Sequence, residues 1–161
     1  MLAVVTGAVV LLAGCGSSKS SSSNGGGTAD VTVAGSKLGK ILVDQSGRTL
    51  YLFEADKNGK STCSGGCAAT WPPLTASSPN GTDGVDGSAL ATTTRADGSQ
   101  QVTYHGHPLY YYAGDGTTSG STKGEGLDTF GGSWYAVDGG GKAVEPAGAG
   151  DMGGGGGGYG Y

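Results

Sequence analysis

From residue 30 to residue 146, apolar side chains never recur at i, i+3, i+4 and i+7 for even three turns. They come instead in short alternating, β-branched or aromatic runs, each cut off by Gly, Asn or Asp. A surface helix needs a continuous apolar stripe to bury, so this stretch is expected to fold as strands. The fold class read from the pattern is all-β: a small antiparallel sheet or barrel-like domain with one modest core. Expected strands are Lys40–Asp44, Arg48–Phe53, Leu90–Arg95, Gln100–Tyr104, Pro108–Tyr112 and Ser133–Val137, with a weaker one at Lys142–Val144. Ala96-Asp97-Gly98-Ser99 holds a dipeptide favoured in tight hairpins, because Asp and Gly tolerate positive φ. His105-Gly106, Gln45-Ser46-Gly47 and Asp138 to Gly141 suit turns for the same reason. Glycine supplies 36 of 161 residues without a G-X-Y period and with only five prolines, which excludes collagen and places the excess in turns and linkers.

The ends read differently. Leu2–Leu12 is an apolar run too short to span a bilayer but suited to the h-region of a signal peptide, here residues 1–14. It closes in Leu12-Ala13-Gly14-Cys15, which resembles a bacterial lipobox, so lipidation is expected at Cys15, with stable anchoring by more than one acyl chain. Residues 15–29, with the Ser/Gly tract Gly16–Thr28, read as a tether. Residues 147–161, nearly all glycine with two tyrosines at the end, read as a disordered tail. The expected location is the extracytoplasmic face of the cell membrane. A net charge of −4 excludes nucleic acid as a partner, because gripping phosphates requires a basic surface.

The middle of the chain is built twice. Gly47–Asp56 aligns without gaps on Gly106–Asp115, with Gly, Leu, Tyr and Asp coinciding and Phe53 meeting Tyr112. Trp71-Pro72-Pro73-Leu74 corresponds to Trp134-Tyr135-Ala136-Val137 after a short shift. Two tandem hairpin repeats follow, at about residues 40–75 and 100–137. These segments, together with CSGGCAATWPPL and FGGSWYAV, resemble the bacterial secreted-repeat lipoprotein family, whose mark is a Tyr-x4-Asp motif in tandem. The resemblance spans Ile41 to Val137 and implies repeats, export and lipidation. It implies no activity, cofactor or catalytic residue.

In an unbroken strand Tyr51 and Asp56 would stand about 16 Å apart on opposite faces, so a motif cannot hydrogen-bond to itself in extended form. The spacing suits a strand with rings on one face, Tyr51 with Phe53 and Tyr110 with Tyr112, ending at Asp56 or Asp115 in an Asx-turn. The first reading of the motif is a folding signature. The second is one ligand site made from both carboxylates and four rings. Once Cys15 is assigned to lipid, Cys63 and Cys67 remain to pair as a disulfide, and neither C-x-x-C nor a haem-attachment pattern is present. Trp71 to Leu74 cannot be central strand because its prolines lack N–H donors; an extended cover for the core is expected, with a sugar-stacking platform as the alternative. His105 and His107 are weak metal candidates, since the glycine between them reads as a turn. Asp56 to Ser61 lacks the spacing of a calcium loop.

The function expected is a non-catalytic envelope module, binding a cell-wall polymer or an envelope protein. The alternative is an envelope redox protein, or one associated with a metal or haem, using tyrosines, histidines and the cysteine pair. A hydrolase using Glu54, Asp56, Asp115 or Asp128 comes third, because nothing in the spacing sets two carboxylates at working distance.

Overall fold

The structure, a computed structural model, describes residues 27–145. The signal segment, Cys15, most of the tether and the glycine-rich tail lie outside the described residues. The domain is all-β, with strands β1 (Thr28–Ser36), β2 (Gly39–Asp44), β3 (Tyr51–Phe53), β4 (Ser78–Gly81), β5 (Leu90–Thr94), β6 (Gln100–Tyr104), β7 (His107–Pro108), β8 (Leu127–Thr129) and β9 (Gly132–Ala136), a short α-helix, α1 (Gly66–Thr70), and two single 3-10 turns at Gly87–Ala89 and Ala113–Asp115. They form three small sheets, ordered β2-β1-β4, β3-β9-β8 and β5-β6-β7. Isolated bridges such as Tyr51 to Tyr110 and Thr75 to Gln101 join segments beyond these sheets.

The turns form where the sequence places them. His105 and Gly106 take φ of 46° and 82° between the paired residues Tyr104 and His107. Gly98 takes φ of 82° in the turn that joins β5 to β6. Three strands escape the pattern. β1 begins at Thr28, inside the expected tether, and pairs antiparallel with β2 and parallel with β4. A parallel partner can be reached only through a long connection, here the rest of the first unit. β4 contains Pro79 and Gly81, and β8 has three residues, so neither carries a periodic signal.

Both faces of the motif strands are buried, in two different cores. Leu50 and Leu52 point into an aliphatic cluster with Val31, Leu42, Leu74, Val102, Leu109 and Val137. Tyr51 and Phe53 point the other way, with Ile41, Val43, Trp71, Tyr110, Trp134 and both cysteines. This is the period-two alternation of a strand with no solvent face. Each cluster takes residues from both repeats, so the repeats share their cores. The Cys63–Cys67 disulfide, with a Cα–Cα distance of 5.2 Å, borders the aromatic cluster. Closing so short a loop contributes roughly 2 kcal/mol through the entropy of the unfolded chain.

The tryptophan segments are exchanged. Trp134 and Ala136, from the second repeat, pair with Phe53 and Tyr51 of the first. Reciprocally, Pro73 bridges Tyr110, and the Tyr111 N–H donates to the Pro72 carbonyl. A closed cycle of three backbone bonds marks each exchange: Leu42 to Val137, Val137 to Leu50 and Leu50 to Leu42, and in the other unit Val102 to Leu74, Leu74 to Leu109 and Leu109 to Val102, all between 2.7 and 3.1 Å. The prolines therefore do not keep Trp71 to Leu74 at the edge of the core, as their missing donors suggested. The segment bonds on two sides through the carbonyls of Pro72 and Leu74 and the Leu74 N–H. At the equivalent of Pro73, the Ala136 N–H turns away from the strand ladder and is met by the Glu125 carboxylate. A proline at that position has no donor to satisfy, which explains why it is tolerated.

Candidate functional site

The exchange brings all eight motif residues into one cluster. Tyr51 and Tyr110 exchange backbone hydrogen bonds at 2.9 Å, and a pseudo-two-fold axis runs between them. Across this axis the motifs clasp each other. The Tyr51 hydroxyl donates to Asp115 Oδ2 at 2.6 Å, and the Tyr110 hydroxyl donates to Asp56 Oδ2 at 2.6 Å. Neither tyrosine bonds the aspartate of its own copy, as the extended-strand geometry requires. The bonds have the short length of charge-assisted O–H···O⁻ pairs.

The other oxygen of each aspartate ties down a loop. Asp56 Oδ1 accepts from Thr62 N–H and Oγ1, at 2.7 and 2.9 Å. Asp115 Oδ1 accepts from Ser121 Oγ and Lys123 N–H, at 2.7 and 2.8 Å. The expected Asx-turns are therefore replaced by clamps six and eight residues long, because the chain leaves each strand in a wide loop that returns to its carboxylate. Burial, followed by the bond to its aspartate, drives each phenol far above the ordinary tyrosine range. Both hydroxyls stay protonated and keep donating.

The rings stack. Phe53, Trp134, Trp71 and Tyr112 form a continuous column with successive centroids 4.0, 3.9 and 4.5 Å apart, the two indoles inclined by only 4°. Tyr51 meets Trp71 edge-on at 5.4 Å, and Tyr110 meets Trp134 edge-on at 5.1 Å. Each half of the column thus mirrors the other. Both indole N–H groups reach one residue, Thr129 of β8: Trp71 donates to its hydroxyl and Trp134 to its carbonyl. Gly124 lies so close that a Cβ there would come within 3.0 Å of the Trp71 ring and of Tyr112, so only glycine fits.

Trp71 and Trp134 are fully buried, so neither offers a face to a sugar. The rings face one another rather than a common ligand cavity. His105 and His107 are exposed at their turn, with the His105 ring against Tyr104. Among the described residues no group of three His, Cys, Asp or Glu stands close enough to hold a metal ion. Glu54 and Asp128 are exposed. A groove of about 480 Å³ borders the first motif, lined by Phe53, Glu54, Asp56, Lys57, His107 and Lys142 among others.

Sequence reasoning misses the residues that complete the clasp. Ser61, whose Oγ lies 2.8 Å from the Tyr110 hydroxyl, with Thr62, Ser121, Lys123 and Thr129, are polar residues in loops or at a short edge strand, and no spacing rule singles them out. Arg95 is missed too. Its guanidinium lies inside, donating to Ser61 Oγ, Gln101 Oε1 and the Cys63 carbonyl at 2.6–2.7 Å, and so ties the β5–β6 hairpin to the disulfide loop.

Glu125 is a further case. Its Oε2 accepts from Ala136 N–H at 2.7 Å, while Oε1 is buried without a partner. Burial raises its pKa, only partly opposed by the Ala136 bond. The folded state then holds a proton that the unfolded state releases, so this group lowers stability as pH rises through the raised value. Glu125→Gln is expected to remove that decline. The check is the denaturation midpoint of both proteins from mildly acidic to neutral pH, where wild type falls relative to the variant.

A family model described as a secreted repeat of unknown function matches residues 32–75 and 91–138, more than half of the chain. The two matched stretches follow the two structural units, each of which runs from an opening hairpin, β1–β2 or β5–β6, to its tryptophan segment. No curated protein and no solved structure matches the chain.

Proposed function

The chain belongs to the family of secreted repeats of unknown function, and from that premise we propose a lipid-anchored, non-catalytic module that binds a polymer or protein of the cell envelope. One observation carries the reading: both oxygens of each motif carboxylate are engaged by the chain's own groups, on the opposite tyrosine and on their own loops. A carboxylate acting on a substrate needs an oxygen within reach of it. These two hold the repeats together and leave recognition to the surface. The groove beside Asp56 is the favoured place, because Lys57, His107 and Lys142 on its walls suit an envelope polymer bearing carboxylates. Anchoring rests on the apolar run that ends in Leu12-Ala13-Gly14-Cys15.

Two measurements on the full chain test this. In membrane fractionation, wild type should pellet with membranes and Cys15→Ser should move to the soluble fraction; equal pelleting of both rejects the anchor. Purified protein should sediment with isolated cell walls or envelope proteins, and Lys57→Glu/Lys142→Glu should sediment less. Failure of wild type to sediment with either rejects the binding role.

A further inference from the structure

We propose that the clasp also has a redox activity: it takes an electron hole from a one-electron oxidant at the protein surface and stores it as a neutral tyrosyl radical on Tyr51 or Tyr110. Tryptophan and tyrosine are the side chains most readily oxidised by one electron, apart from thiols, and here they form an unbroken path. Tyr112, half-buried, is the outer end. It stands 4.5 Å from Trp71, which stands 3.9 Å from Trp134. From the indoles the path forks to the two fully buried tyrosines, Tyr51 and Tyr110.

A buried phenol cannot lose an electron and keep its proton, because the radical cation is a very strong acid in a poorly solvating site. It needs a base already in hydrogen-bond contact. Each of these phenols has one, the carboxylate of the opposite repeat at 2.6 Å. Because burial holds both phenols protonated, electron and proton have to leave together.

The step balances. The surface oxidant is reduced by one electron and leaves Trp71 as its radical cation. Trp71 recovers that electron from Tyr51, whose O–H bond breaks as the proton passes to Asp115 Oδ2. The products are the Tyr51 phenoxyl radical and a neutral Asp115 carboxylic acid. An electron from a reductant reverses the step and returns the proton. Trp134, Tyr110 and Asp56 repeat it in the other half, so one domain holds two such sites. The fold supplies the path and both proton acceptors, and the oxidant is an outer-sphere, one-electron acceptor.

Flash-quench oxidation of the purified full chain by photogenerated tris(bipyridine)ruthenium(III) tests it. Transient absorption should show a tryptophanyl signal decaying into a tyrosyl one. The rate should not depend on buffer-base concentration, since the proton acceptor is internal. Tyr51→Phe/Tyr110→Phe should lower the tyrosyl yield severalfold and prolong the tryptophanyl signal. A tyrosyl yield unchanged in that variant, or a rate in wild type that rises with buffer base, assigns the radical to tyrosines outside the clasp and overturns the proposal. Should the double variant not fold, Tyr111→Phe decides, because Tyr111 also donates to a carboxylate, Asp44 Oδ2, at 3.1 Å outside the clasp: an unchanged tyrosyl yield in that variant keeps the radical in the clasp, and loss of the yield overturns the proposal. Neither readout depends on the binding role.

Discussion

Trp134→Ala is expected to destabilise the protein by about 3–5 kcal/mol, and Trp71→Ala by a similar amount, read from the urea midpoint by far-ultraviolet circular dichroism. Either change removes the centre of the ring column and leaves a cavity between groups that no longer touch. Trp134 is covered by Phe53 on one face and Trp71 on the other, with Tyr110 at its edge. Trp71 has the matching set of Trp134, Tyr112 and Tyr51. The loss is a large share of the roughly 5–15 kcal/mol that holds a typical domain folded. Because each indole is the other's packing surface, the double variant should lose less than the two single losses combined. A tryptophan that served only as a ligand platform would cost far less to remove. Two costs below about 1 kcal/mol would contradict the buried column.

The second large effect is a coupling, and it distinguishes exchanged repeats from repeats that merely stand side by side. A double-mutant cycle on Tyr51→Phe and Asp115→Asn should give an interaction energy of about 1–3 kcal/mol, as should Tyr110→Phe with Asp56→Asn. The pairs within one motif, Tyr51 with Asp56 and Tyr110 with Asp115, should couple by less than about 0.5 kcal/mol. The reason is the reciprocal bonding: each hydroxyl donates to the aspartate of the other copy and not to that of its own. Removing Asp115 would also release Ser121 and Lys123, so its single-variant cost should exceed that of Tyr51→Phe. Strong coupling within a motif and none across would refute the exchange.

The clasp also accounts for the spacing of the motif. A strand that buries both faces needs alternation, which places Tyr51 and Phe53 in one cluster and Leu50 and Leu52 in the other. The aspartate comes after the strand has ended, where the chain is free to turn back toward the axis. A carboxylate inside the strand would point into an apolar layer without a partner, at a prohibitive desolvation cost. The same logic applies to Arg95, whose charge is tolerated inside because carbonyl and side-chain oxygens accept from both of its terminal nitrogens.

Local chemistry alone was sufficient for the all-β class, the turns at Asp97-Gly98 and His105-Gly106, and the duplication. Alternation and positive-φ tolerance act over two to four residues, so they are written in the order of the side chains. What the chain order does not contain is which copy each segment joins. Trp71 and Trp134 look the same whether they pack on their own motif strand or on the other one, and Tyr51 has two chemically equivalent aspartates to choose from. β1 and β4 likewise have weak patterns of their own and form only because partner strands lie beside them. The tertiary structure decides these pairings because a motif strand in extended form keeps its own tyrosine and aspartate too far apart to bond. A second copy folded around a shared axis brings the complementary partner within 2.6 Å, and that bond satisfies two buried polar groups at once.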